Sequence, residues 1–275
     1  MPPHGPEYDA HMMTIASSIN RLWQASKVLP CTENWADQDE LHKALRSVVK
    51  TDFDMADHQR NPLNLILPGY ETMWRVVMRC LLEVSYRDAE RRAEWEAAFQ
   101  RFVSNPTQEQ FHARKEGNQA SVMDIVKEGL RLYPPARRIH RQFPSDSKDS
   151  PTKADLEKCH RNSQFEHPKK FDPSRWMEIA QTVDSSSKKI KDYEEELGFM
   201  PFGTKNFQCP AGRSGFGWKM IGMLVGVLVN SSLVNTVTDQ EEWELSEESR
   251  KKMPASGEPL KSDREDYADL KLKRE

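Results

Sequence analysis

The sequence contains no long apolar run. Its longest apolar candidate, 220–229, is far shorter than the roughly 20 residues that span a bilayer. Residues 1–30 contain no apolar stretch of the kind found in signal peptides. We therefore expect a chain inside the cell, with neither a signal peptide nor a transmembrane anchor.

The sequence is also poor in paired cysteines and in net charge. Its four cysteines lie far apart and form no C-x-x-C pair, which argues against structural zinc and a disulfide framework. The 40 basic and 43 acidic residues leave a net charge of −3, so the chain has no excess of positive charge that would attract nucleic acid. The absence of G-x-S-x-G and H-E-x-x-H argues against a hydrolase or a metalloprotease.

What is present is a pattern of helices in a chain long enough to bury a core. A short strand is expected at 137–143, then a loop at 144–153, and 181–196 is expected to be exposed. The charged residues 239–275 leave a flexible tail or a few edge strands as alternatives. The helices that periodicity and capping residues predict are 11–27, 37–49, 61–86, 87–101, 121–133 and 218–229.

Glu128 and Arg131 lie three residues apart on one face of a predicted helix. By itself such a pair is usually an exposed salt bridge that contributes roughly 0 to 1 kcal/mol. However, the segment from Lys127 to Pro135, KEGLRLYPP, resembles the E-x-x-R helix of the cytochrome P-450 family and the L-Y-P-P that follows it. The resemblance implies a structural role for the pair.

Downstream, the segment Phe171-Asp-Pro-Ser-Arg-Trp176 resembles the F-x-P-x-R-W segment of the same family. There a second arginine completes a buried Glu-Arg-Arg network, so Arg175 is expected to join Glu128 and Arg131. Such a network needs every member, because an unpaired buried charge costs several kcal/mol.

The segment 199–212 resembles the family's haem-binding sequence F-x-x-G-x-R-x-C-x-G. An isolated cysteine before an apolar helix is more often a small buried hydrophobe. The family's motif order and the sequence separation of 81 residues from Glu128 to Cys209 favour an iron ligand instead. The resemblance implies that Cys209 binds the iron of haem b (iron protoporphyrin IX), with Phe202 and Gly203 beside it, and that Pro210 opens a helix.

The segment Leu67-Pro-Gly-Tyr-Glu-Thr72 resembles the A-G-x-E/D-T part of the family's long distal helix. The resemblance implies that Glu71 and Thr72 assist proton delivery, although a proline kink in a helix is more often plain packing. Arg138 and Arg141 are candidates for contacting a haem propionate, and solvation of both side chains is the equal alternative.

Three positions depart from the haem-binding sequence. Lys205 stands where the family usually has a glycine, whose positive φ allows a tight bulge. Phe207 replaces a propionate-binding arginine or histidine, and Ala211 replaces another glycine, as in some divergent fungal relatives that have the C-P-A form.

The resemblance implies a mainly α fold, the C-terminal part of the cytochrome P-450 fold with a few short β-strands. We expect an unassigned helical segment at 1–60, a haem-binding core at 61–238 and a charged tail at 239–275. The implied function is monooxygenation of a small organic substrate, with electrons from an NADPH-dependent reductase, and family members often lie on the endoplasmic reticulum membrane. The alternative is a truncated, non-catalytic remnant that binds haem weakly or not at all.

Overall fold

The computed structural model describes residues 5–26, 28, 33–49, 54–57, 59–88, 90–114, 119–141, 152–184, 189–205, 208–234, 243–263 and 265–274. The helices in these ranges are α1 Pro6–Ala25, α2 Asp39–Val48, α3 Leu63–Leu82, α4 Arg92–Ser104, α5 Gln108–His112, α6 Val122–Leu132, α7 Leu156–His160, α8 Arg175–Asp184, α9 Ile190–Glu196, α10 Pro210–Arg213, α11 Phe216–Val234 and α12 Glu247–Lys252.

The described strands form two small antiparallel sheets. In the first, β1 (Arg138–Arg141) pairs with β2 (Thr152–Asp155), and in the second, β3 (Trp243–Leu245) pairs with β4 (Leu272–Arg274). The predicted mainly α fold with a few short strands is confirmed. The strand β2 is a correction, because its first two residues lie in the range that the sequence predicts as loop.

Two helix starts follow the capping chemistry that the sequence indicates. The Asn61 side chain accepts a 2.9 Å hydrogen bond from the Leu63 N–H at the start of α3. At the start of α6, Ser121 and Asp124 form a reciprocal capping box. These bonds satisfy backbone donors that a helix leaves without partners, so they fix where α3 and α6 begin.

The chain divides into two compact units, Met1–Tyr70 and Glu71–Glu275, and the boundary falls inside α3. The first unit packs α1 against α2 around buried side chains that include Ile19 and Leu45. The predicted division at residues 60 and 238 remains a prediction.

The second unit surrounds α6, which is buried along nearly its whole length. The long apolar helix α11 packs on α4 and α6. The spacing of Trp95, Phe99 and Phe102 in the sequence predicts that they share the inner face of α4, and all three are buried. Burial of such large rings stabilises the core by about 2 to 3 kcal/mol each.

The predicted exposure of 181–196 is wrong at Val183 and Glu194, which are both buried. Part of this range forms the helix α9, and the Glu194 carboxylate accepts a hydrogen bond from the buried Lys127 ammonium group. None of the helices in the described ranges has the apolar length that is needed to cross a bilayer.

Candidate functional site

The carboxylate of Glu128 is completely buried and accepts five hydrogen bonds. Arg131 donates two of them, from Nε to Oε2 at 2.9 Å and from Nη2 to Oε1 at 2.8 Å. The others come from Arg175 Nε at 3.1 Å, the Trp176 indole N–H at 3.1 Å and the Asp172 backbone N–H at 2.9 Å. The structure thus brings Glu128, Arg131 and Arg175 together.

One carboxylate cannot neutralise two guanidinium groups, and backbone carbonyls satisfy their remaining donors. Arg131 Nη1 donates to the carbonyl oxygens of His160 at 3.1 Å and Pro168 at 2.7 Å. Arg175 Nη1 donates to the carbonyl oxygen of Glu166 at 2.7 Å. These bonds attach the end of α7 and the segment between α7 and α8, which has little regular structure, to α6 through Arg131 and to the start of α8 through Arg175.

The second part of the site is the loop before α10. Cys209 is exposed, and its backbone is held on both sides. Its N–H donates to the Phe202 carbonyl oxygen at 2.7 Å, and its own carbonyl accepts from the Gly212 N–H at 3.0 Å. The helix that was predicted to begin at Pro210 does begin there, but it contains four residues and the long apolar helix starts at Phe216.

The ring of Phe202 fills the space between this loop and the start of α11. A Cβ atom added at Gly212 would lie 2.4 Å from Phe202 Cβ, and one added at Gly217 would lie 2.7 Å from Phe202 Cε1. The ring also contacts Trp218, with a centroid distance of 4.8 Å. The two glycines therefore let an aromatic ring pack against the turn that carries Cys209.

Two of the described residues of this loop have a positive φ. Gly203 has a φ of 72° and Lys205 has a φ of 48°. The lysine thus adopts the left-handed conformation that the family's glycine would adopt without cost, which for an L-residue costs about 1 to 2 kcal/mol. Lys205 therefore tolerates the conformation of the glycine that it replaces, whereas Phe207 lies outside the described residues.

Haem b is the group that the resemblance implies, and a haem-thiolate iron takes one sulfur ligand from the protein. An axial cysteine must have a fixed backbone and a sulfur that faces open space. Cys209 meets both conditions, because its backbone N–H and C=O are bonded and its side chain is exposed. Cys80, by contrast, is fully buried, and burial raises the pKa of its thiol. Of these two thiols, only Cys209 fits an iron ligand.

The other predicted residues lie on separate elements. Glu71 is buried and Thr72 is exposed on α3, which continues through Pro68 and Gly69 as one helix. No hydrogen bond or ion pair joins either of them to Cys209 in the part of the chain that the structure describes. Arg138 is half exposed and lies 3.7 Å from an Asp155 carboxylate oxygen, and the Arg141 side chain lies outside the described residues.

Sequence reasoning missed His160, which connects the Glu128 network to the loop. His160 is fully buried, and its Nε2 accepts a 3.1 Å hydrogen bond from the Met200 N–H. Burial lowers the pKa of this imidazole to about 4, so the ring is neutral at ordinary pH. A lone histidine in a polar stretch carries no pattern that would have identified it.

A second buried cluster, also missed, lies where α3 ends in a π-helical turn, Glu83–Arg87. The Glu83 carboxylate accepts hydrogen bonds from the Tyr133 hydroxyl and from Arg87. Burial raises the Glu83 pKa to about 6, against the opposing effect of Arg87. The Tyr133 hydroxyl in turn accepts from the Leu260 N–H at 3.1 Å, so this cluster anchors the C-terminal segment.

The fold of this chain is similar to that of a solved structure. The chain is similar to the haem domain of a cytochrome P-450DA mutant, with a TM-score of 0.53 and 13% sequence identity. The match covers 98% of this chain and 59% of that haem domain, so the chain spans little more than half its length. No protein-family model and no curated protein matches the sequence. At this identity the likeness shows a cytochrome P-450-like fold.

Proposed function

We propose that the chain is a divergent member of the cytochrome P-450 family that binds haem b through the Cys209 sulfur and acts as a monooxygenase. The observation that carries the proposal is the coincidence of two features. The fold is similar to that of a cytochrome P-450 haem domain, and the cysteine in the sequence segment that resembles the haem-binding motif is exposed on a loop with a fixed backbone.

The residues around the sulfur take separate roles in this proposal. Phe202 and Gly203 shape the turn, and the Phe202 carbonyl oxygen accepts a hydrogen bond from the Cys209 N–H. Arg138 and Arg141 are the proposed propionate contacts. Once bound, haem would supply reductive activation of dioxygen, with the thiolate donating electron density to the iron.

Glu71 and Thr72 are the proposed proton-handling pair. The Glu71 carboxylate can accept hydrogen bonds, and the Thr72 hydroxyl can both donate and accept them. Because Glu71 is buried and Thr72 is exposed on the next residue of α3, the pair would connect the protein interior with the open side of the helix.

The proposed partners follow from the same chemistry. The substrate is a small organic molecule, and the electrons come from a separate NADPH-dependent reductase because the sequence contains no nucleotide-binding motif. Nucleic acid is not among the proposed partners, given a net charge of −3.

The test is haem titration followed by the difference spectrum of the reduced carbon monoxide complex. Cys209→Ala is compared with Cys159→Ala, since Cys159 is also an exposed free cysteine. We expect a thiolate-type band in the wild type and in Cys159→Ala, and its loss in Cys209→Ala. Absence of that band from the wild-type protein would favour the non-catalytic remnant instead.

A further inference from the structure

His160 ends α7 and makes contacts in two directions. Its backbone carbonyl accepts a 3.1 Å hydrogen bond from Arg131 Nη1, which belongs to the Glu128 network. Its imidazole Nε2 accepts a 3.1 Å hydrogen bond from the Met200 N–H, which belongs to the loop of Cys209. One residue therefore joins the two parts of the candidate site.

The state of the ring follows from this geometry. A nitrogen that accepts a hydrogen bond carries no proton, so the proton of the neutral ring lies on Nδ1. The ring also contacts Phe199, with a centroid distance of 5.4 Å, and Phe199 lies 4.5 Å from the Trp176 ring. His160 thus combines a directional acceptor with aromatic packing at the start of the loop.

From Met200 the connection reaches Cys209 in two backbone hydrogen bonds. The Met200 carbonyl accepts from the Gly203 N–H at 2.9 Å, which closes the turn that contains Phe202. The Phe202 carbonyl then accepts from the Cys209 N–H at 2.7 Å. The Met200 peptide is therefore held by His160 on one side and holds the cysteine turn on the other.

We propose that His160 is a positioning residue that fixes the conformation of the Cys209 loop. Its importance for an iron ligand rests on the function proposed above, whereas the positioning itself is a property of the chain without haem. The alternative role is that of a core residue whose ring contributes packing alone, as Phe165 does against Trp176 and Arg131.

Two substitutions separate these roles. His160→Gln keeps an acceptor at about the reach of Nε2, whereas His160→Asn is equally polar but too short to meet the Met200 N–H. Phe165→Leu is the matched control, because it loosens the packing on Arg131 and Trp176 without removing an acceptor from the loop.

The readout is the rate at which iodoacetamide alkylates Cys209 in the haem-free protein, followed by mass spectrometry of the cysteine-containing peptides. We expect His160→Asn to change this rate about fivefold, the factor expected for one lost buried hydrogen bond. His160→Gln and Phe165→Leu should remain near the wild-type rate. An unchanged rate in His160→Asn, or an equal change in Phe165→Leu, overturns the proposal.

Hydrogen exchange of the wild-type protein keeps the test decisive if His160→Asn does not fold. The Met200 amide should be protected to the same degree as the Cys209 amide, and an unprotected Met200 amide overturns the proposal. A separate haem titration distinguishes the two proposals. Wild-type protein that binds no haem contradicts the proposed function, while the alkylation rates still decide the role of His160.

Discussion

Arg131 donates two hydrogen bonds to the Glu128 carboxylate, at 2.9 and 2.8 Å, and both side chains have 0% exposure. Removing the carboxylate leaves two buried guanidinium groups without their shared anion. We therefore expect Glu128→Gln to lower the free energy of unfolding by about 3 to 5 kcal/mol, as measured by urea denaturation.

The control for this substitution is the pair Glu247 and Lys251. It also joins an acidic and a basic residue one turn apart in a helix, but both side chains are exposed. Glu247→Gln should change the free energy of unfolding by less than about 1 kcal/mol. Equal effects of the two substitutions would mean that the Glu128 network does not hold the fold.

Gly129 lies where α6 meets α3. A Cβ atom added there would lie 2.0 Å from Cys80 Sγ but 3.8 Å from Cys80 Cβ. We expect Gly129→Ala to destabilise the protein by about 1 to 3 kcal/mol through overpacking, despite the higher helix propensity of alanine.

Cys80→Ala removes the clashing sulfur. The free energy of unfolding of the double variant Gly129→Ala/Cys80→Ala should therefore be higher than the sum of the two single-variant changes predicts. Denaturation of all four proteins measures this coupling. Additive effects would show that the sulfur does not set the distance between the two helices.

Glu83 gives the stability a specific dependence on pH. Burial raises the pKa of this carboxyl from 4.5 to about 6. Its contribution to stability is therefore complete below pH 4.5 and is lost as the pH rises through about 6, amounting to about 2 kcal/mol. Comparing wild type with Glu83→Gln by denaturation at both ends of this range isolates the effect, because other groups titrate alike in both proteins. A difference between the two proteins that does not vary with pH would contradict the assignment.

Lys205 tests whether the loop is strained. Lys205→Ala removes the long side chain but keeps the Cβ atom at a φ of 48°, whereas Lys205→Gly also removes the steric conflict. We expect the glycine variant to be more stable than the alanine variant by about 1 kcal/mol in thermal or chemical denaturation. A less stable glycine variant would show that the backbone does not adopt this conformation.

The sequence predicts the elements whose signals are local. The inner face of α4 follows from the spacing of Trp95, Phe99 and Phe102, and the start of α6 follows from the capping pair Ser121 and Asp124. Local patterns suffice there because the residues that define each element lie within a few turns of one another.

What the sequence does not predict depends on partners that are distant along the chain. Lys127 and Glu194 pair across 67 residues, and Glu194 is buried although the composition of its segment indicates exposure. His160 receives its hydrogen bond from Met200, 40 residues away. The burial of a polar side chain is decided by such partners and not by its neighbours in sequence.

The account depends most directly on a bond between iron and the Cys209 sulfur. X-ray absorption at the iron edge, measured on the haem-reconstituted chain, reports the atoms bound to the metal. We predict a sulfur neighbour of iron in the wild type and in Cys159→Ala, and its loss in Cys209→Ala. Wild-type protein whose iron has only nitrogen and oxygen neighbours would contradict the account.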